Sequence, residues 1–113
     1  MMSYEKLDVY QCSIQFLGLA TGIIETMPRG YSLLTDQLKR ASLGIPLQIA
    51  EGAGKRTKAD CRRFFDYARG SAMECGAVLD VCMQLKLIEA NKLLLPGKEL
   101  LERIVAMLTK LSR

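Results

Sequence analysis

Few residues in this chain could carry out chemistry, and their types argue against an enzyme active site. The 113 residues include no histidine, which removes the commonest general base, the commonest metal ligand and every nucleophile paired with histidine. A di-iron site in a helical bundle requires Glu-x-x-His pairs that face inward, and Glu74 is the one acidic residue near a predicted helix seam. An enzyme would have to be built from Lys, Glu and Tyr alone. We therefore expect a non-enzymatic protein without a metal or a cofactor.

The spacing of the four cysteines predicts core packing. They stand at positions 12, 61, 75 and 82, so no pair forms the Cys-x-x-Cys unit that is typical of zinc ligands. Cys61, Cys75 and Cys82 recur at helical spacing among apolar neighbours, and a free thiol packs as a small hydrophobic group. Unpaired, buried thiols predict a reduced, cytoplasmic protein.

The glycine-rich tetrapeptide Gly52-Ala53-Gly54-Lys55 has some similarity to a phosphate-binding loop. It lacks the full Gly-x-x-x-x-Gly-Lys-Ser/Thr spacing, and it follows a predicted helix where a phosphate loop follows a strand. The two glycines are better explained as the end of that helix. We do not expect a nucleotide site here.

Charge placement is the most informative feature for function. Between positions 39 and 69 the chain has eight basic residues against three acidic ones, whereas the whole chain has a net charge of +4. Clustered Lys and Arg side chains bind phosphate backbones by releasing counterions, and Tyr67 offers a stacking surface. The sequence thus predicts a nucleic-acid-binding or scaffold protein, sequence-nonspecific towards RNA or DNA. Its expected phosphate contacts are Lys55, Arg56, Lys58, Arg62 and Arg63, supported by Lys39 and Arg40.

Two alternatives remain open from the residues alone. Arg62 and Asp66 are four positions apart and Asp66 and Arg69 three apart, so part of the basic segment would be a self-paired, solvated helix face. The protein would then be a protein–protein interaction module without a nucleic-acid role. Apolar surface on its first and last helices would bind a second copy or a partner.

The elements that position these residues are all predicted to be helices. Half of the residues are apolar and 6% are aromatic, and the apolar set is rich in Leu, Ile, Ala and Met, which favours helices over sheets. Apolar periodicity and turn signals place helices at about 7–27, 32–52, 57–87 and 98–112. Short connections make consecutive helices antiparallel. The prediction is a single all-α domain over 1–113, an elongated up-down-up-down four-helix bundle.

Prolines, glycines and one capping signal set the predicted helix ends. The first helix ends before Pro28, and the second either kinks at Pro46 or ends before it. Thr57, followed three positions later by Asp60, predicts the cap of the third helix. Pro96, with the glycine after it, makes the start of the fourth helix ambiguous.

The first helix carries two apolar stripes. One stripe is formed by Leu7, Tyr10, Ile14, Leu17, Thr21 and Ile24. A second stripe adds Val9, Phe16, Ala20, Ile23 and Met27. Together they exceed what one neighbouring helix could cover, which predicts a further buried contact such as an oligomer interface.

Neither a membrane span nor a secretion signal is expected. The most apolar helical stretch, 14–24, is too short to cross a bilayer and contains polar residues. The first eight residues lack the basic flank and apolar core of a signal peptide.

The middle of the chain resembles a known family. The matching segments are Leu34-Thr35-Asp36-Gln37-Leu38-Lys39-Arg40-Ala41, Ile45-Pro46, Ile49-Ala50-Glu51-Gly52, Arg63-Phe64, and Gly70-Ser71 with Glu74. In this order they resemble the four-helix-bundle family of 23S rRNA-intervening-sequence proteins. The resemblance implies an up-down bundle that assembles into a homopentameric barrel with a central channel, a bacterial origin and no catalysis.

The resemblance also suggests partners. The family is similar in fold to the accessory protein of diversity-generating retroelements, a basic pentamer that binds nucleic acid and a reverse transcriptase. This extends to the present chain only as an analogy of fold.

The family motif residues in this chain are Asp36, Pro46, Glu51, Gly52 and Glu74. We favour packing roles for the proline and the two glutamates, although Glu51 could instead orient Arg62 or Arg63. Where the family commonly has Asn, this chain has Gln48, which predicts altered hydrogen bonds at the corner between helices two and three.

Overall fold

The structure, a computed structural model, describes residues 1–88 and 90–113. This part of the chain is all helical and contains no strand, as the composition predicts. The four α-helices are α1 (Asp8–Glu25), α2 (Ser32–Ala53), α3 (Lys58–Gln84) and α4 (Leu95–Leu111). A 3-10 turn, Ser3–Lys6, precedes α1, and a π-helical turn, Ala90–Leu94, leads into α4.

Each α-helix packs against two others. α1 and α3 each contact α2 and α4, whereas α2 and α4 do not touch each other within the described residues. Between α2 and α3, residue 37 meets 74, residue 48 meets 71 and residue 52 meets 65, so numbers rise along one helix as they fall along the other. The molecule measures 44 × 25 × 22 Å and is therefore elongated.

Aliphatic and thiol side chains from all four helices form the core. The apolar seams of α2 and α3, formed by side chains that recur at helical spacing, are buried at Leu38, Ala41, Ile45, Ile49, Phe65, Ala68, Ala72, Cys75, Leu79 and Cys82. Burying each large apolar side chain stabilises the fold by about 1.5–3 kcal/mol. None of the described helices combines the length and the apolar run that crossing a membrane requires.

In α1 the two predicted stripes differ in burial. Val9, Phe16, Ala20 and Ile23 of the second stripe are at most 2% exposed and form the core. The first stripe lies at the edge of the core, and its Ile14 is 42% exposed. Both stripes have helical spacing, so periodicity alone does not decide which one faces inward.

The structure shows how α2 passes Pro46 and where α3 begins and ends. α2 continues through the buried Pro46, so the alternative that it ends there is wrong. At the start of α3 the predicted cap is confirmed, because the Thr57 hydroxyl accepts a hydrogen bond from the Asp60 N–H at 3.1 Å. α3 stops at Gln84, short of the predicted 87, because Lys86 adopts a φ of 54°.

A specific backbone motif closes α3. The Leu87 N–H donates to the Cys82 carbonyl, and the Lys86 N–H donates to the Met83 carbonyl, both at 3.1 Å. This pair of bonds is a Schellman motif, in which a left-handed residue follows the last turn. Here a lysine takes the place that glycine usually occupies, so no glycine in the sequence marks the end of α3.

α4 begins at Leu95, three residues before the predicted start. Pro96 lies in its first turn, where its missing N–H costs no hydrogen bond. Gly97 is buried, and a Cβ there would lie 3.1 Å from Leu19 Cδ2 and 3.2 Å from Leu79 Cδ1. This glycine therefore does not break the helix, but lets α4 approach α1 and α3.

Candidate nucleic-acid interface

The corner between α2 and α3 is short and held by backbone hydrogen bonds. The Gly54 N–H donates to the carbonyls of Ala50 and Glu51, and the Lys55 N–H donates to the Gly52 carbonyl at 3.2 Å. On the other side of the corner, Thr57 caps α3. The basic residues of this segment therefore project from a fixed backbone.

Gly52 determines how closely the two helices approach at this corner. It is buried inside α2, and a Cβ there would lie 2.9 Å from Phe65 Cε1 and 3.2 Å from Phe64 Cβ. The prediction that the two glycines mark the end of α2 is confirmed to within one residue, because α2 ends at Ala53 and Gly54 is its C-cap. Gly52 also makes room for the two phenylalanines.

Phe64 organises the cations around it. Lys55 Nζ lies 4.6 Å from the centroid of its ring and Arg63 Cζ lies 5.5 Å away. Tyr67, half exposed, meets the same ring edge-on at 5.5 Å between centroids. Each such cation–ring contact is worth about 0.5–1 kcal/mol at an exposed site. We call the five cations at 55–63 around this ring the corner cluster: Lys55, Arg56, Lys58, Arg62 and Arg63.

The corner cluster holds the net charge of the molecule. All five cations are exposed, and Asp60 is the one carboxylate between 55 and 63, so this segment carries +4, equal to the charge of the whole chain. Arg63 pairs with Asp60 at 3.3 Å, an exposed contact worth less than about 1 kcal/mol. Within the described residues, no ion pair or hydrogen bond engages the side chains of Arg56, Lys58 and Arg62. The positive end of the α3 dipole adds to the same field.

The self-paired helix face considered as an alternative does not form in the described part of the chain. Asp66 is exposed and makes no ion pair with Arg62 or Arg69 there. Arg69 instead donates from Nε to Thr109 Oγ1 at 2.9 Å, which joins α3 to α4. Asp66 therefore neutralises neither Arg62 nor Arg69, although their spacing along the helix suggested such pairs.

Lys39 and Arg40, predicted as supporting contacts, lie away from the corner cluster. Arg40 is about 20 Å from the end of α2 at 1.5 Å per residue. Its Nη2 donates to Gln37 Oε1 at 2.8 Å, and Gln37 Nε2 donates to Glu74 Oε1 at 2.6 Å. The structure thus places these two cations on a different part of α2.

The remaining family motif residues lie mostly at the contact between α2 and α3. The Ser71 hydroxyl donates a hydrogen bond to Gln48 Oε1 at 2.9 Å. Gln48, which stands where the family commonly has Asn, therefore bridges α2 and α3 near the corner. Glu74 is half buried and Pro46 buried, while Asp36 and Glu51 are exposed. Within the described residues, Glu51 forms no ion pair with either arginine that it was suggested to orient.

Two of the four cysteines, Cys75 and Cys82, are unsuited to nucleophilic chemistry. Burial, with a smaller contribution from the Glu74 carboxylate, raises the pKa of the Cys75 thiol to about 12, and burial also raises the pKa of Cys82. Both are therefore protonated at neutral pH. Cys61 departs from the prediction, since it is only half buried and its thiol lies 3.4 Å from the Lys55 carbonyl. Within the described residues, no group of acidic or thiol side chains could hold a metal ion.

Exposed apolar surface is concentrated on α2 and α3, which contradicts its predicted place on the first and last helices. Leu43 and Leu47 of α2 are 48% and 54% exposed, and Met73 of α3 is 55% exposed. An open groove of about 450 Å³ runs between α3 and α4. Gly76 and Ala77, two small residues of α3, line this groove.

Comparisons with known proteins agree with the fold. The model of the family described as 23S rRNA-intervening sequence protein matches residues 5–110. A crystal structure of a protein of unknown function from the S23 ribosomal protein family of Bacteroides thetaiotaomicron is similar, with a TM-score of 0.84 and 16% identity. The match covers 93% of this chain and 98% of that one. At this identity the likeness shows the fold alone, and a comparison with curated proteins found no match.

Proposed function

The chain belongs to the 23S rRNA-intervening sequence protein family, and we propose that it is a non-enzymatic, oligomeric nucleic-acid-binding or scaffold protein. In this proposal the helices form an antiparallel up-down-up-down bundle that assembles into a homopentamer in a bacterial cytoplasm. The corner cluster contacts phosphates. The observation that carries the proposal is the exposed net charge of +4 on residues 55–63 of a rigid corner.

The ligand is expected to be bound by its backbone, not by its base sequence. Lys and Arg contacts to phosphates fix position and carry no sequence information. The cluster offers five cations and the half-exposed ring of Tyr67, a set suited to phosphates and to nonspecific stacking. A partner protein such as a reverse transcriptase remains a proposal by analogy of fold.

The test is a binding titration by fluorescence anisotropy with mixed-sequence RNA and DNA duplexes at several salt concentrations. Replacing Arg56, Lys58 and Arg62 with Gln removes three cations that have no bonding partner in the described part of the chain. For duplex DNA the slope of log K against log salt should fall by up to about 2.7, since each phosphate contact contributes about 0.9.

A matched variant controls for net charge. Replacing the exposed Arg29, Lys86 and Lys92 with Gln removes the same charge at the opposite end of the bundle and should change the slope far less. Equal losses in the two variants, or affinity that is insensitive to salt, would contradict the proposal.

The rival function, an interaction module without a nucleic-acid role, is favoured by the exposed apolar surface of α2 and α3. Alanine replacement of Arg62 and Arg63 separates the two functions. Loss of polyanion binding with the oligomer intact supports the nucleic-acid proposal. Loss of assembly without any effect on nucleic-acid binding supports the rival.

A further inference from the structure

Tyr67 presents an exposed aromatic ring next to the corner cluster. It lies on α3, one turn beyond Arg63, and is 50% exposed. The ring planes of Tyr67 and Phe64 are inclined at 75°, so the two rings do not stack, and Phe64 covers at most one face of the tyrosine ring. The ring is therefore held by its neighbour and still offers a broad face to solvent.

Gly70 leaves the far side of that ring uncovered. A long side chain in a helix leans back over the turn before it, so a side chain at position 70 would lie against Tyr67. Gly70 is exposed, and a Cβ there would meet no atom within 4 Å. Ser71, the other residue one turn beyond Tyr67, directs its hydroxyl to Gln48 of α2. We call this open surface, formed by Tyr67 and Gly70, the Tyr67 shelf.

Close packing does not account for the glycine of the shelf. Glycine inside a helix is destabilising relative to alanine. At Gly52 a larger residue is excluded because its Cβ would collide with Phe65, whereas at Gly70 no neighbour requires the missing side chain. Gly70 therefore lowers helix stability at a position where its effect on the surface is to leave Tyr67 uncovered.

The two sides of the shelf differ in charge. The cations of the corner cluster lie on one side, and Arg63 is four residues, about 6 Å along the helix, before Tyr67. On the other side α3 has no Lys or Arg after Arg69. Asp66 is exposed beside the ring, and the half-buried Glu74 lies two turns further on. Phosphates are therefore attracted to the corner side of the ring, and the far side suits an uncharged base.

We propose that the corner binds single-stranded nucleic acid, with an unpaired base stacked on Tyr67 over Gly70 and the phosphates on the corner cluster. The inference rests on the proposed function and names the form of its ligand. Every base has a π-face, so stacking on an aromatic ring tolerates any sequence. In a duplex a base must first be unstacked and unpaired before it reaches such a ring. The shelf thus favours single strands over duplexes, which still bind through their phosphates.

Fluorescence anisotropy tests the shelf with a short mixed-sequence single-stranded DNA and with the same strand annealed to its complement. Tyr67→Leu removes the ring and keeps an apolar side chain. Loss of one contact between a base and an aromatic ring should weaken single-strand binding by about 5- to 150-fold, and duplex binding should stay unchanged. Tyr67→Phe keeps the ring and should bind both probes as the unmodified protein does.

Gly70→Leu covers the shelf and leaves the ring in place. Leucine is a better helix former than glycine, and a Cβ at this position meets no atom, so the variant should be at least as stable as the unmodified protein, which urea unfolding checks. It should nevertheless lose single-strand affinity and keep duplex affinity. Full single-strand affinity in Gly70→Leu would overturn the placement of the base on the shelf.

Tyr31→Leu is the matched control, because Tyr31 is 36% exposed and stands at the other end of α2 from the corner. It should change neither affinity. An abasic strand of equal length offers the phosphates without the bases, and it should bind the unmodified protein as weakly as the intact strand binds Tyr67→Leu.

Three results would overturn the inference and leave the corner cluster as a phosphate site. They are single-strand affinity that survives Tyr67→Leu, equal losses of strand and duplex binding in that variant, and equal affinity for the abasic and intact strands. Binding of neither the strand nor the duplex by the unmodified protein would overturn the proposed function together with the inference.

Discussion

Gly52 offers a sharp test of the corner, because one methyl group should alter how α2 meets α3. In Gly52→Ala the new Cβ would lie 2.9 Å from Phe65 Cε1 and 3.0 Å from Phe65 Cδ1. Phe65 is only 8% exposed, so its ring has little room to move away. The neighbouring Phe64 Cβ, at 3.2 Å, should also shift. The substitution should therefore disturb both the packing and the ring that organises the cations.

Two opposing effects set the size of the change in stability. Alanine in place of glycine gains up to about 1 kcal/mol of helix propensity, and less here because Gly52 is one residue from the end of α2. Overpacking a core by one methyl group costs about 1–3 kcal/mol. We expect a net loss of about 1–2 kcal/mol in the free energy of unfolding, from the difference of these terms.

Gly70 provides the matched control. It lies inside α3, and a Cβ there would meet no atom within 4 Å. Gly70→Ala should therefore stabilise the protein by about 0.5–1 kcal/mol through propensity alone. Urea unfolding followed by circular dichroism, at one fixed protein concentration, measures both changes. Stabilisation by both substitutions alike would refute the conclusion that Gly52 is constrained by the phenylalanines.

Two further predictions concern the cap of α3 and the core thiols. Thr57→Ala should lower the free energy of unfolding by about 1 kcal/mol because the hydrogen bond from the Asp60 N–H is lost. Thr57→Ser keeps a hydroxyl at this position and should retain most of the stability. Urea unfolding of the two variants measures the difference. Cys75 should make stability decline at alkaline pH. Its pKa is about 12 in the fold against 9.0 without burial, so between these values the unfolded chain has lost a proton that the folded chain keeps. Below pH 9 the effect is absent, and above it the decline approaches about 1.4 kcal/mol per pH unit. Cys75→Ala should remove this part of the decline, and identical alkaline profiles for the two proteins would contradict the assignment.

Local signals predicted most of the fold. Thr57 with Asp60 located the start of α3, and the apolar seams of α2 and α3 proved to be buried. The errors arose where tertiary packing overrides local preference. The left-handed conformation of Lys86 ends α3 without a glycine, and the close approach of Phe65 to Gly52 is a contact between two helices that local sequence does not encode.

The sequence predicted which residues form the corner cluster, but it did not predict where the other candidate cations lie or how Phe64 arranges the cluster. The basic residues at 55–63 are contiguous in sequence, so their proximity follows from a short corner between helices. The placement of Lys39 and Arg40 depends on how far α2 extends, and helix length separates them from the corner despite similar chemistry. The organising role of Phe64 depends on tertiary contacts.

Assembly into an oligomer, as proposed, would determine how neighbouring corner clusters cooperate. The molecule is 25 and 22 Å across its shorter dimensions, so clusters on adjacent copies lie about that far apart. The Debye length is about 8 Å at physiological salt; the clusters should therefore act as separate sites linked by avidity, not as one summed field. A duplex must then span about seven base pairs, at 3.4 Å each, to reach two copies. In a length series of hairpin-closed duplexes, affinity should rise sharply beyond that length at protein concentrations where light scattering shows an oligomer. Affinity that rises smoothly through seven base pairs would break the link between assembly and binding.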